Sequence, residues 1–255
     1  MMLAQDTLNH FNKISDTWEQ KNWVNDEYFN LRLARFIKSS EEHAGLSKKR
    51  HKSALYFGIG TGKLFHQFRD YNLAGIDEAA NMLGQCPEGT IRILSKVEDL
   101  PFLDNNQFHV TFSRNLLKHC PEPHKAVEQM FQKTRKGGVC LCAESVVQAN
   151  EDKVIPNTLL RFTDPNHPSV LSISDIITLF ERAGFYAVDY QLFPYRSTWL
   201  SKWLAAEQAN IWDRENALAL YRSAPTPFLE RQHVVIHDNE ITSSVPWMLI
   251  RAYKS

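Results

Sequence analysis

Three glycines at alternate positions, Gly58, Gly60 and Gly62, end the apolar run Ala54-Leu-Tyr-Phe57, and a carboxylate, Asp77, follows nineteen residues after Gly58. Glycines at such a turn let a ligand touch bare backbone, because no Cβ intervenes. In a βαβ unit a carboxylate at that spacing lies at the end of the second strand, where it accepts hydrogen bonds from the hydroxyls of a ribose. A dinucleotide fingerprint needs Gly-x-Gly-x-x-Gly, yet Lys63 or Phe65 occupies the third position, depending on the starting glycine. A phosphate-binding loop needs glycine where Phe57 stands and Ser or Thr where Leu64 stands. Both spacings fail, and a Gly-x-Gly-x-Gly turn remains.

The surrounding pattern supplies elements to position these groups. The run before Gly58 reads as a first strand and Tyr71 to Ile76 as a second ending at Asp77, with Lys63 to Asp70 helical between them. Residues 91–94, 107–113 and 139–146 read as strands three to five, with a helix over 122–135 before the fifth. Ser174 to Gly184 has a helix start, apolar spacing and a glycine stop, and strands six and seven are expected over 185–193 and 245–253. Near the N-terminus, Leu8, Phe11, Ile14 and Trp18 recur at helical spacing. A second amphipathic helix over 27–40 offers Tyr28, Phe29, Leu31, Leu33 and Phe36 as its buried side.

Of the 255 residues, 43% are hydrophobic and 23% charged, as in a soluble globular domain, and the 29 basic and 29 acidic residues cancel. Zero net charge gives no global field for nucleic acid or an anionic membrane, and Lys48-Lys-Arg-His-Lys52 reads as a solvated loop. No basic leader precedes an apolar stretch and no segment has the roughly 18 apolar residues of a membrane span, so a cytoplasmic location is expected. Cys140 and Cys142 read as small core residues on one strand face. No disulfide is expected, and no metal set, since His119, Cys120 and His124 lack a completing cluster.

Several ordered blocks resemble the ubiquinone-biosynthesis-like (type 11) group of class I S-adenosylmethionine (SAM) dependent methyltransferases. Phe11-Asn-Lys-Ile-Ser-Asp-Thr-Trp-Glu19 is similar to the family's opening Phe-Asp-x-Ile-Ala-x-x-Tyr-Asp, which folds over the cofactor there. The glycine turn matches its first-strand turn. Gly75-Ile-Asp-Glu-Ala-Ala-Asn-Met82 resembles Gly-x-Asp-x-Ser-x-x-Met, and Lys96-Val-Glu-Asp-Leu-Pro-Phe102 resembles Asp-Ala-Glu-x-Leu-Pro-Phe. Ser113-Arg-Asn-Leu-Leu-Lys-His-Cys-Pro-Glu-Pro123 resembles Ser-x-x-Val-Leu-x-His-Val-x-Asp-Pro. The resemblance covers residues 11–146. It implies SAM as cofactor and S-adenosylhomocysteine as product, held by Trp18, Tyr56, Gly58, Gly60, Gly62, Asp77, Glu78, Met82, Val97, Glu98, Ser113 and Asn115. Lys96 replaces the Asp that bonds the adenine amine. Tyr56 replaces the Asp or Glu that helps hold the methionine ammonium, so the amino-acid end is left to other groups such as the Asn115 carboxamide.

The expected architecture is α/β, a Rossmann-like, doubly wound sheet of seven strands with the last antiparallel. Residues 1–45 form an N-terminal helical cap, 53–193 and 245–253 the core, and 194–244 a helical lid insertion. The lid carries Trp199, Trp203, Ile211 and Trp212 at roughly helical intervals, and residues 148–170 read as a long irregular connection. The implied reaction is methyl transfer to a small-molecule acceptor by a monomer or homodimer, with His119 and His167 the candidate catalytic residues and Tyr28 and Tyr195 further polar groups facing the acceptor. The competing reading is a SAM-fold binding or regulatory protein, or an enzyme that uses SAM without transferring methyl.

Overall fold

The computed structural model describes residues 2–255; Met1 and the side chains of residues 2–6 and of Ile211 lie outside the described residues. The N-terminal segment forms α1 (Met2–Ile14), a 3₁₀ turn at Trp18–Gln20, α2 (Asn22–Asn25) and α3 (Glu27–His43). The core then runs β1 (Lys52–Phe57), β2 (Tyr71–Asp77), α4 (Ala80–Gly84), β3 (Ile91–Leu94), β4 (Phe108–Arg114), α5 (Pro123–Lys133) and β5 (Thr134–Ser145). It continues through α6 (Val154–Thr163), α7 (Ile173–Ala183) and β6 (Tyr186–Thr198). Three helices, α8 (Leu200–Ala206), α9 (Ile211–Arg222) and α10 (Thr226–Arg231), precede the hairpin of β7 (Val235–His237) and β8 (Glu240–Tyr253).

The strands form one sheet in the order β3-β2-β1-β4-β5-β8-β6, with β7 added on β8. Strands β1 to β5 are parallel, and β8 runs antiparallel to both β5 and β6. The seven-stranded, doubly wound expectation therefore holds, with β7 an eighth, short strand. Alternation along the strands divides the core. Tyr56, Phe112, Leu141 and Leu249 face α3, whereas Leu55, Phe57, Cys140, Cys142 and Ile250 face α5 and α7. Strand order reverses between β1 and β4, so the carboxyl ends of these strands open a crevice at the switch point.

Local physics corrects several sequence expectations. Only a 3₁₀ turn, Phe65–Phe68, forms where a helix was expected over 63–70. Gly58, Gly60 and Gly62 all have positive φ, so the chain leaves the turn in a non-helical course and reaches Tyr71, which pairs with Lys52, after this single turn. On α3 the buried stripe is Phe29, Leu33, Phe36 and Ile37, at 3.6-residue spacing; Tyr28 and Leu31 fall off it and are 65% and 48% exposed. Residues 148–170 are not irregular: they hold α6, with Pro156 in the first turn, where its missing N–H costs nothing. Lys52 is no solvated loop residue but lies buried in β1, its ammonium 4.2 Å from the Tyr71 ring centre and 3.6 Å from Glu41. Strands β6 and β8 extend beyond 193 and before 245 as two long arms, paired as far as Thr198 and Thr242.

Those arms carry α8, α9 and α10 over the crevice, where Leu200, Leu204, Leu218, Tyr221 and Phe228 cluster with Ile155 and Leu159 of α6. Trp212, expected among the lid aromatics, points outward and is 73% exposed. No described helix is long and apolar enough to cross a membrane.

Candidate active site

Two cavities occupy the crevice. The first, about 350 Å³, is lined by Gly58 and Gly60 of the glycine turn, Asp77, Glu78 and Met82 after β2, Lys96 to Glu98 after β3, Arg114 to Leu116 after β4, and Phe11 and Trp18 from the N-terminal segment. At Gly60 (φ +58°) a Cβ would meet no atom within 4 Å, so the open space in front of the turn is reserved for something other than protein. The Gly60 N–H donates to Asp77 Oδ2 at 2.8 Å and the Ala79 N–H to Oδ1 at 2.9 Å. Each carboxylate oxygen keeps a further acceptor site. Burial pushes the Asp77 carboxyl up against these backbone bonds. Glu78 and Glu98 are also pushed up, first by burial, with the charge of Glu98 adding to the rise at Glu78 and that of Glu122 at Glu98, and Glu98 Oε2 is buried without a partner among the described residues. The inner end of this cavity therefore offers acceptors to hydroxyl or amine donors.

The second cavity, about 210 Å³, lies between the core, the N-terminal segment and α6 to α10. Trp23, Tyr195, Trp199, Trp203, Tyr221 and Trp247 make its walls largely aromatic. Its polar members are mostly paired with one another. Glu207 accepts from Lys21 Nζ at 2.5 Å and lies 2.9 Å from His10 Nε2; burial pushes its carboxyl up, but these two partners outweigh burial and hold it down at about 2. Lys118 Nζ donates to Ser145 Oγ at 2.9 Å, and that hydroxyl donates to Asn115 Oδ1 at 2.9 Å. Tyr195 lines the wall and donates to Asp26 Oδ2 at 3.2 Å, whereas Tyr28 does not reach the cavity.

Phe11, Asn115 and His119 line both cavities and form the doorway between them. Asn115 has φ +55°, a left-handed conformation that asparagine tolerates, and its N–H donates to Ala143 O at 2.7 Å. His119 ends a 3₁₀ turn, Leu117–His119, which the buried Glu144 of β5 caps: its Oε1 accepts from the Leu116 N–H at 2.6 Å and the Leu117 N–H at 2.9 Å. Phe11 and His167 both meet the His119 ring edge to face at 5.0 Å. Burial holds His119 well below its usual range and His167 down at about 3, so both imidazoles are neutral. His119 Nδ1 and both ring nitrogens of His167 are buried without partners among the described residues. The doorway thus carries neutral, unsatisfied imidazole nitrogens.

Of the residues singled out in the sequence, Trp18, Gly58, Gly60, Asp77, Glu78, Met82, Val97, Glu98 and Asn115 line the first cavity, His119 the doorway and His167 the second cavity. Tyr56, Gly62 and Ser113 do not line either. The Tyr56 ring is buried against Phe112 and Phe68, Ser113 is fully buried in β4, and Gly62 faces Cys86 and Pro87. Arg114, Lys118 and Glu207 escaped the sequence reading. The first two stand at variable positions inside the 113–123 block, and Glu207 becomes a partner of Lys21 only through the packing of α8 on the N-terminal segment.

A family profile for the methyltransferase domain (type 11) matches residues 55–142, and no curated protein matches the chain. Among solved structures, a Bacillus halodurans C-125 protein with a provisional methyltransferase assignment superposes with a TM-score of 0.75 at 19% identity, covering 86% of this chain and 98% of its own. The YcgJ protein of Bacillus subtilis superposes at 0.76 and 16% identity, covering 87% and 99%. A phosphoethanolamine N-methyltransferase of Haemonchus contortus, solved with phosphomonomethylethanolamine and S-adenosylhomocysteine, gives 0.56 at 13% identity over 94% of this chain and 60% of its own. Residues 55–142 match the methyltransferase-domain family, and the chain as a whole shares the fold of these solved structures.

Proposed function

We propose that the protein transfers the methyl group of SAM to a small-molecule acceptor held in the aromatic cavity. The observation that carries this reading is the doorway: a glycine- and carboxylate-lined cavity meets an aromatic one at Phe11, Asn115 and His119 alone. When bound, SAM supplies an electrophilic methyl on a sulfonium. The residues of the first cavity fit its adenosyl part. Asp77 accepts from the ribose hydroxyls, Glu98 and the backbone at Val97 meet the adenine edge, Met82 and Trp18 pack on it, and Gly58 and Gly60 let it approach the backbone.

The protein's further work is to aim the acceptor and exclude water, and orientation of this kind can supply roughly 7–11 kcal/mol of the barrier. His119 and His167, neutral and unsatisfied, accept hydrogen bonds from the acceptor's O–H or N–H and turn its lone pair toward the doorway. The lid formed by residues 194–244, seated on α6, closes the aromatic cavity from solvent.

Calorimetric titration with SAM, S-adenosylhomocysteine and NAD tests the cofactor, with binding of the first two and not the third expected. A methyl-release assay against a metabolite panel tests transfer. A protein that binds SAM and stays inert toward every compound that enters the aromatic cavity would overturn the transfer step.

A further inference from the structure

Arg114, at the end of β4, is only 8% exposed and lines the first cavity but not the second. Its side chain is fixed on three sides. The guanidinium lies 4.9 Å from the Trp23 ring centre, Nη1 approaches Asn30 Oδ1 at 3.4 Å, and the buried Tyr56 phenol is its electrostatic neighbour on the third side. No carboxylate among the described residues pairs with it. Glu19, the acid whose charge it senses, is already engaged by Lys63 Nζ at 2.8 Å and Thr61 Oγ1 at 3.0 Å. A guanidinium stays charged, and a buried charge without a counter-ion is strongly unfavourable unless a ligand brings one.

The charges around the cavity indicate what that ligand carries. Asp77 ends β2, with Glu78 next to it and Glu98 after β3, so these acceptors lie on one side of the β1 turn and suit donors, whereas Arg114 ends β4 on the other side. A molecule with several phosphates would meet the three carboxylates; one with hydroxyls and an amine at one end and a single carboxylate at the other would not. Tyr56 completes the picture. Where a carboxylate would attract an ammonium, this phenol brings no negative charge and instead lies beside the guanidinium.

We propose that Arg114 clamps the carboxylate of the amino-acid end of SAM, with Tyr56 and Trp23 as positioning residues for its guanidinium. The proposal rests on the SAM reading above. It reverses the polarity of the grip: the amino acid is held by its anionic group, through a charge-assisted and potentially bidentate pair.

The test compares SAM with its decarboxylated analogue, S-adenosyl-methylthiopropylamine, by calorimetry on the intact protein. The wild type is expected to bind SAM at least about tenfold more tightly than the analogue, as loss of a charge-assisted hydrogen bond implies. Arg114→Met is expected to lose that preference by weakening SAM while leaving the analogue within about twofold, with Arg114→Lys intermediate. Tyr56→Phe should lower the SAM-to-analogue ratio as well, an effect that a purely structural tyrosine would not have. The wild-type comparison needs no variant, so a misfolded Arg114→Met would not spare the proposal. Equal binding of the two ligands by the wild type, or a preference that persists in folded Arg114→Met, overturns it. If the wild type binds neither ligand, it is the SAM reading that fails.

Discussion

The imidazole of His167 meets the ring of His119 edge to face, with centroids 5.0 Å apart and planes at 78°, beside the doorway that joins the two cavities. Two histidines this close cannot both take up a proton in a buried site, and burial already keeps each neutral. Each ring therefore keeps one acceptor nitrogen and one N–H donor throughout the neutral range.

That neutrality makes stability pH-dependent with a definite sign. The folded-state value of His167, about 3, lies below the ordinary 6.5 of the unfolded chain, so the unfolded state binds the proton first as the solution is acidified. Stability from this group is complete above about pH 6.5 and declines as the pH falls toward 3. Denaturant titrations of wild type and His167→Asn should diverge across this window. The wild type is expected to lose about 2 kcal/mol relative to the variant between pH 7 and pH 5. A constant difference across the window would show that His167 is not held neutral by the fold.

Removing the doorway imidazole should affect turnover more than folding. His119→Ala is expected to reduce methyl transfer by about a hundredfold, the scale of a misoriented acceptor, with a smaller loss in SAM affinity. Single-turnover measurement separates the two, and unchanged affinity and turnover would remove His119 from the site.

Asp77 should act on cofactor affinity. Asp77→Asn keeps the shape but loses the charge that assists bonds to hydroxyl donors. An affinity loss of about 1.5–3 kcal/mol for SAM is expected by calorimetry, or roughly tenfold or more. Its amide also cannot accept from the Gly60 and Ala79 N–H groups with both arms, so part of the loss would come from a disturbed glycine turn.

The Lys21–Glu207 pair joins the N-terminal segment to α8 in a nearly dry environment. Truncating Lys21 leaves the buried Glu207 carboxylate with His10 as its remaining partner. Lys21→Met is thus expected to cost about 3 kcal/mol, the low end for breaking a buried pair, in a urea titration. The double variant Lys21→Met with Glu207→Gln should recover much of that loss. Additive effects would mean that the two side chains do not interact.

The sequence made the central sheet readable because its strands are short apolar runs punctuated by glycine turns, and the spacing from Gly58 to Asp77 is fixed by the βαβ unit. What escaped it depends on packing between distant segments. Nothing local distinguishes Tyr28 from Phe29, or Trp212 from Trp203, until the direction of each helix face is known. Tyr56 is visible in the sequence as a departure from the motif, whereas its neighbour Arg114, three strands on in sequence and adjacent in space, carries no local signal. A cation at a variable motif position gains meaning only when its lack of a counter-ion can be seen.

The shared profile stops at residue 142, and of the residues around the aromatic cavity only Asn115, Lys118 and His119 fall within it. Every other wall comes from the first 25 residues or from Ser145 onward. The part of the chain that matches the methyltransferase profile thus supplies almost none of the aromatic cavity. Proteins that share this cavity are therefore to be sought by Trp23, Trp199, Trp203 and Glu207 rather than by the glycine turn.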